Sequence, residues 1–469
     1  MNKKKLIYRV AIVLLAVISN LIIFLKPVDY SEEMVDFSVN VTGKSTSSVT
    51  VYYLVDGQNI EETDFMEGQK SGTNYTTAGE TQRLVFEIPA NVTYIRIDPA
   101  VTAMDDIEFS EFTISYEGKT LDTFDWTSAD ALRENDIKVD GNRFTTTSTD
   151  GNIAFAYSAP ENTIDEMASL GAGRAIRTKI KYMVALDVIF LLLLWKGMLA
   201  LEILLDVFKN KKLVFNLAKN DFKQKFSGSY LGIVWAFVQP IVTVVVYWFV
   251  FQKALNVGSQ STKAGIAVPY VLWLIAGLVP WFYFSEVVST TTNVLLEYSY
   301  LVKKVVFNIS ILPVVKAISS MFVHLFFIGF MLVMYVVYGY TPNVHMLQII
   351  YYSFCMMILA LGFGYINAAI QVFFRDLSQI VNIILQVGVW ATPIMWNMDS
   401  MIISDRVLFI LKLNPMYYVV VGYRDAMINN VYFWSHPAET IYFWAFTIIM
   451  FIIGTTVFKK LKIHFADVL

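Results

Sequence analysis

Cysteine is nearly missing from this chain. Of 469 residues only Cys355 carries a thiol, and it sits inside an apolar run, so neither a disulfide framework nor a thiolate metal site can form. Histidine is almost as scarce: His324, His345, His436 and His464 are scattered, with no ligand pair at helical spacing, so each is read as structural and no metal centre is expected. Charge is thin at 16% of residues and nearly balanced at a net −3, which excludes the basic surplus of a nucleic-acid-binding protein. A Walker A motif is also absent. Gly43-Lys44-Ser45 ends like one, but position 38 is Ser where the motif needs Gly, and no strand-loop-helix pattern surrounds it. The sequons at Asn40, Asn74 and Asn91 matter only in a eukaryotic secretory setting. No catalytic constellation stands out.

What the chain has instead is grease. It is 56% hydrophobic with a mean hydropathy of +0.53, far too apolar for a soluble protein of this size. Lys3, Lys4, Lys5 and Arg9 precede an apolar run at 6–25, and no small-residue cleavage site lies before Lys26-Pro27. This reads as an uncleaved first span with a cytoplasmic N-terminus rather than a signal peptide. Residues 30–177 differ in kind. They are rich in Thr, Ser, Asp, Asn and Gly, and 48–55, 83–88, 93–97 and 111–116 alternate with period two between turn signals at Asp56-Gly57, Glu117-Gly118 and Asp140-Gly141. A β-sandwich follows.

A second span is expected at 182–205, with Asp187, Lys196 and Glu202 near its interfaces. Lys209, Lys211 and Lys212 mark its cytoplasmic end, which places the β-rich segment outside the cytoplasm. Residues 213–226 are amphipathic: Leu213, Leu217, Phe222 and Phe226 alternate with Lys219, Lys223 and Lys225, the pattern of a helix lying on a membrane surface. Six further spans are expected near 231–251, 268–290, 312–338, 346–373, 377–396 and 441–457. The fold class is therefore an α-helical multi-pass membrane protein of about eight spans, six of them in a core, with an inserted extracytoplasmic β-sandwich. The divisions are 1–29, a cytoplasmic N-terminus and first span; 30–178, the β-domain; 179–208, the second span; 209–228, the interface helix; and 229–469, the helical core.

Several motifs occur in order along the second half. These are the basic helix with its bend and the Gln239-Pro240 pair, Gly277-Leu278-Val279-Pro280-Trp281, the 293–307 segment ending in Lys303-Lys304-Val305-Val306-Phe307, Arg375-Asp376, Thr392-Pro393, Asn414-Pro415 and Tyr423-Arg424-Asp425. As an ordered set over 215–469 they resemble the permease subunits of type-2 ABC exporters that move O-antigen, teichoic acid and other lipid-linked polysaccharides. One departure is Asn308, where the family commonly has Pro. Residues 94–116 resemble a strand-loop-strand piece of galactose-binding-like jelly rolls, which implies either a carbohydrate-binding role for the β-domain or that of a spacer.

The resemblance implies a homodimeric half-transporter in the bacterial cytoplasmic membrane, with both termini cytoplasmic and two copies of an ABC ATPase as partner. ATP and Mg belong to that partner, and the chain itself is a transport subunit, not an enzyme. Candidate ATPase-docking residues are Lys219, Phe222, Lys223, Lys225, Phe226, Glu297, Lys303 and Lys304; the alternative for the lysines is contact with anionic lipid at about 1 kcal/mol each. Tyr247, Trp248, Phe249, Trp281, Tyr283, Trp390 and Trp396, expected near outer span ends, form either a sugar-stacking path or an ordinary interfacial belt. Arg375 is the candidate for a lipid-linked phosphate, and Asp376 is expected to cap the helix that follows. The 397–439 stretch, with Ile402, Ile403, Leu408, Ile410 and Leu411, is expected to dip back as short gating helices. An exporter of a small lipophilic drug or lipid, and a membrane-anchored glycan-binding accessory protein, are the alternative functions.

Overall fold

The computed structural model describes residues 3–31, 33–44, 46–56, 70–99, 106–124, 131–140, 143–146, 151–225, 230–261, 267–303, 308–398 and 405–469. It separates into two compact units. One comprises Leu25–Ile180 and Ser261–Ile266; the other comprises Met1–Phe24, Lys181–Gln260 and Ala267–Leu469.

The first unit is a two-sheet antiparallel sandwich. One sheet runs β4 (Gln82–Pro89), β1 (Met34–Gly43), β6 (Asp106–Tyr116), β10 (Arg143–Thr146) and β9 (Ile137–Asp140), with β7 (Lys119–Phe124) also paired to β6. The other runs β3 (Lys70–Tyr75), β2 (Ser47–Val55), β5 (Val92–Pro99), β11 (Asn152–Ala156) and β8 (Ala131–Asn135). The alternation read in the sequence is what closes the core, because period-two strands put every second side chain on one face. Phe37 lies opposite Phe86 in the β1–β4 register. Between the sheets Phe112 meets Phe155 edge-on, with ring centroids 6.4 Å apart. The expected turn after β6 is present, with both Glu117 (φ 51°) and Gly118 (φ 78°) left-handed, the geometry a tight hairpin asks for. On the outer face of the first sheet Arg83 donates to Ser38 Oγ and Thr113 Oγ1, each at 2.8 Å. Beside the sandwich Arg174 pairs with Glu33 and with Glu117 (3.0 Å) and donates to the Tyr116 hydroxyl at 2.8 Å.

The second unit is helical. Its elements are α1 (Lys3–Leu25), the part of α2 (Thr163–Lys209) from Lys181 onward, α3 (Lys211–Lys225), α4 (Trp235–Trp248), α5 (Tyr270–Glu297), α6 (Ser299–Val302), α7 (Leu312–Val337), α8 (Gln348–Gln371), α9 (Leu377–Ala391), α10 (Asp405–Lys412), α11 (Pro415–Arg424), α12 (Pro437–Leu461) and α13 (Phe465–Val468). Among the described residues seven helices are long and apolar enough to cross a bilayer. The eighth expected span is the 15-residue apolar α9. Within this unit α1 is fixed to α2 by the Tyr8 hydroxyl donating to the Leu193 carbonyl (2.8 Å) and by Asn20 Nδ2 donating to Asp187 (2.8 Å). Asp187, expected at an interface, thus has a specific partner.

Helix α5 is buried on nearly every side, which explains its even hydrophobicity. It packs against α7, α8, α9 and α11. Small residues let neighbours close in: a Cβ at Gly454 of α12 would stand 2.5 Å from the Gly362 carbonyl of α8.

Candidate functional site

The basic helix α3 packs on α7 as an amphipathic helix should, but with a shifted stripe. The deepest positions are Val214 and Ala218, one residue on from the expected Leu213 and Leu217; Leu213 is exposed. The reason is a close helix–helix contact, which selects the small Ala218. Phe222 completes the stripe, its ring 5.6 Å from Phe322. Lys219 and Lys223 face outward. Lys225 forms an ion pair with Glu286 of α5. Phe226 and Lys304 lie outside the described residues.

The two stretches nominated for docking meet at one point. Lys316 of α7 is held by Asp221 of α3 and by Glu297 at the end of α5, each at 2.6 Å. The Tyr298 hydroxyl donates to the same Asp221 oxygen at 2.8 Å. Asp221 accepts both bonds, and burial and that carboxylate together push the Tyr298 phenol pKa upward. Glu297 is therefore committed to Lys316 at one end. Lys303, just beyond α6, is exposed. Asp221 and Lys316 were not singled out from sequence, although a signal existed: Lys316 is the one Lys, Arg, Asp or Glu in 308–337, and a lone charge inside a span demands a partner.

A cleft of about 380 Å³ opens beside this cluster, between α3, α5 and α7, and takes in Gln224, Thr290, Tyr300 and Ser319. A second cavity of about 230 Å³ continues toward α4. The two share Lys225, Glu286, Ser320 and Val323.

The aromatic candidates do not gather in one place. Trp281 and Tyr283 lie in the middle of α5 rather than at a span end, and both are buried. Trp281 fills the space above Gly388 of α9, where a Cβ would come within 2.8 Å of its ring. The Tyr283 hydroxyl donates to the Ala317 carbonyl at 3.1 Å. Expecting these two at an outer end was wrong, because α5 is a central helix whose large side chains fill the core. Tyr247 and Trp248 are half-buried, whereas Phe249 and Trp390 are exposed. Trp396 donates its indole N–H to the Trp390 carbonyl at 3.0 Å.

Arg375 is exposed, and among the described residues no acidic side chain pairs with it. Its carbonyl accepts from Gln371 Nε2 at 2.9 Å. Asp376 occupies the N-cap position of α9 but makes no side-chain cap bond, contrary to expectation; its αR backbone (φ −77°, ψ −7°) is not the extended one a capping side chain uses.

The remaining landmarks converge. Asn414 caps α11 through the Met416 N–H (3.0 Å) and donates to Thr392 Oγ1 (2.8 Å), so the Thr-Pro and Asn-Pro motifs touch. Arg424 is buried. It donates to the carbonyls of Pro393 (2.6 Å) and Ile394 (2.9 Å) and lies 3.3 Å from the Trp273 ring centroid. The short helices expected at 397–439 exist as α10 and α11, with a π-helical turn at Asp425–Asn429; residues 399–404 lie outside the described set. Asn308, in place of the family's Pro, receives the Ser310 N–H, donates to Asp206 of α2 at 2.9 Å and lies 3.4 Å from Lys462 Nζ.

The basic helix α3 is thus tied to the end of α5 through Lys316. Residues 212–428 match the ABC-2 type transporter family. Among similar proteins is the O-antigen export system permease protein RfbA of Klebsiella pneumoniae, 27% identical over 257 residues, covering 54% of this chain and 93% of that protein. The O-antigen export system permease protein RfbA of Myxococcus xanthus is 23% identical over 262 residues, covering 56% of this chain and 97% of that protein.

Proposed function

We propose that this chain is the permease subunit of an ATP-driven exporter that carries a lipid-linked cell-surface polysaccharide, of the O-antigen or teichoic-acid kind, across the bacterial cytoplasmic membrane. The observation that carries this reading is the joining of α3 to the α5–α6 turn through Lys316, Asp221 and Glu297 within the stretch that matches the ABC-2 type transporter family. A partner that pushes on either segment moves both. Two copies of the chain would pair with two ABC ATPase subunits, which bring ATP and Mg. Lys219, Lys223 and Lys303 supply an outward basic surface for that docking, on the cytoplasmic side in this reading. Exposed Phe249 and Trp390, with half-buried Trp248, offer apolar and aromatic surface for a passing glycan. Exposed Arg375 would fork onto a lipid-linked phosphate. The β-sandwich, outside the cell on this topology, would engage the emerging polymer.

The test is reconstitution of the full chain with its cognate ATPase in proteoliposomes. ATP-dependent movement of a lipid-linked glycan is expected, and Lys219→Glu with Lys223→Glu should lower ATPase association at least tenfold. Transport of a glycan-free lipophile alone, or movement without any ATPase, would refute the reading.

A further inference from the structure

The cavity between α4, α5 and α7 has a lining that its position in the bilayer does not explain. Its walls come from three helices apolar enough to be spans. Yet Gln239, Thr243, Ser285 and Ser320 all face it. Thr243 and Ser285 donate to the Gln239 and Phe282 carbonyls of their own helices (3.0 and 3.2 Å), which leaves Gln239 and Ser320 as the polar side chains for a water-filled path or a ligand to answer. Pro240 adds to this: it has no N–H to give the Ala236 carbonyl one turn back, and both residues line the same cavity. The rings of Trp235, Phe282 and Phe327 line it as well, Trp235 one turn before Gln239 on α4. Trp235 is 46% exposed, and Phe282 and Phe327 meet edge-on at 6.2 Å. The lining thus mixes hydrogen-bonding groups with apolar rings.

The charge along the two connected cavities decides the ligand class. Three carboxylates, Asp221, Glu286 and Glu297, face two ammonium groups, Lys225 and Lys316. Each ammonium is already held by a carboxylate. In the inner cavity the one ammonium, Lys225, already faces Glu286, so an anionic phosphate entering there would compete with that carboxylate. A neutral ring bearing hydroxyls on its rim and C–H bonds on its faces fits such a mixed lining. At about 230 Å³ the inner cavity is below the ~300–1,000 Å³ of a pocket for a drug-sized ligand, so it suits a single ring.

We propose that the α4–α5–α7 cavity binds one neutral sugar ring of the exported glycolipid, Trp235 stacking on its face while Gln239 and Ser320 bond its hydroxyls. This rests on the polysaccharide-export reading and adds a sugar subsite inside the helical unit, apart from Arg375. The lipid-linked phosphate is held elsewhere.

The experiment uses the full chain in lipid nanodiscs, with Cys355→Ser as background and a reporter thiol at Ser285→Cys. N-ethylmaleimide labelling is timed with n-octyl β-D-glucopyranoside, n-octyl β-D-galactopyranoside, farnesyl phosphate or octanol present. A second reporter, Asn220→Cys on the exposed side of α3, controls for general effects. At least one glycoside should slow labelling of the Ser285→Cys thiol fivefold or more and leave the control unchanged. Trp235→Ala with Gln239→Ala should abolish that protection, and since both positions are exposed the variant should fold. No protection by either glycoside overturns the proposal. So does equal protection by octanol, which marks a hydrocarbon crevice, or by farnesyl phosphate, which marks a phosphate site. Filling the cavity with Ser285→Phe separates the two readings: full glycan export in that variant removes the subsite and leaves the export function standing.

Discussion

Removing the Lys316 ammonium tests whether the α3–α7–α5 tie holds the docking segments together. The Lys316 and Asp221 side chains are 9% and 11% exposed, and their charged atoms are 2.6 Å apart. At an effective dielectric near 20 the Coulomb attraction at that distance is about 6 kcal/mol, before the cost of taking both charges out of water. Desolvation cancels much of this, so the net worth of the pair is small. Deleting one partner is different, because it leaves Asp221 buried without a cation and the Tyr298 hydroxyl as its remaining donor. Breaking such a pair costs about 3–5 kcal/mol. Glu297 is 49% exposed and can turn to water, so its own share is at most about 1 kcal/mol. We therefore expect Lys316→Ala to cost about 3–5 kcal/mol, Glu297→Gln about 1 kcal/mol or less, and the Lys316→Met, Asp221→Leu double variant clearly less than the sum of its singles. Reversible SDS titration of the purified chain in mixed micelles measures each leg of the cycle. Additivity within about 0.5 kcal/mol would mean that the two residues act independently and that no tie exists.

Gly388→Val should force α9 away from Trp281 and cost about 1–3 kcal/mol, with Trp281→Phe in the same chain restoring part of the loss; equal melting of wild type and Gly388→Val would refute the close packing. Arg424→Lys should lose the fork onto the Pro393 and Ile394 carbonyls and the stacking on Trp273, about 2–4 kcal/mol together, read by the same titration. Asn308→Pro, which makes the chain more like the exporter permeases it resembles, should lower stability by about 1–3 kcal/mol through the lost Ser310 cap and Asp206 bond, and an unchanged midpoint would show that those contacts are idle.

What the sequence disclosed was set by periodicity and length. Strands at 47–55, 82–89, 92–99 and 106–116 follow the alternation, and the long helices follow the apolar runs, because both signals are local. Helix-on-helix detail is not local. The buried stripe of α3 falls on Val214 and Ala218 because the partner surface of α7 determines which small side chains fit. Trp281 and Tyr283 were misplaced for the same reason: aromatic residues look alike in sequence whether they fill a core or mark an interface. Asp376 shows the limit of cap rules, since the residue type fits and the backbone does not. The pairing of Asp221 with Lys316 joins positions 95 residues apart. A lone lysine in a span announces that some acid must answer it, but not which one.

The Asn308 junction bears on how this protein could be pared down. Asp206 and Lys462, which it bridges, both fall outside residues 212–428. Glu202 of α2 likewise reaches Lys459 at 3.0 Å, and Ala200 and Ile203 belong to the same apolar core as α5. A version trimmed to begin where the family resemblance begins would bare that oily patch, take Glu202 from Lys459 and take Asp206 from Asn308, so α2 is a structural support of the helical core rather than an accessory that can be snipped off.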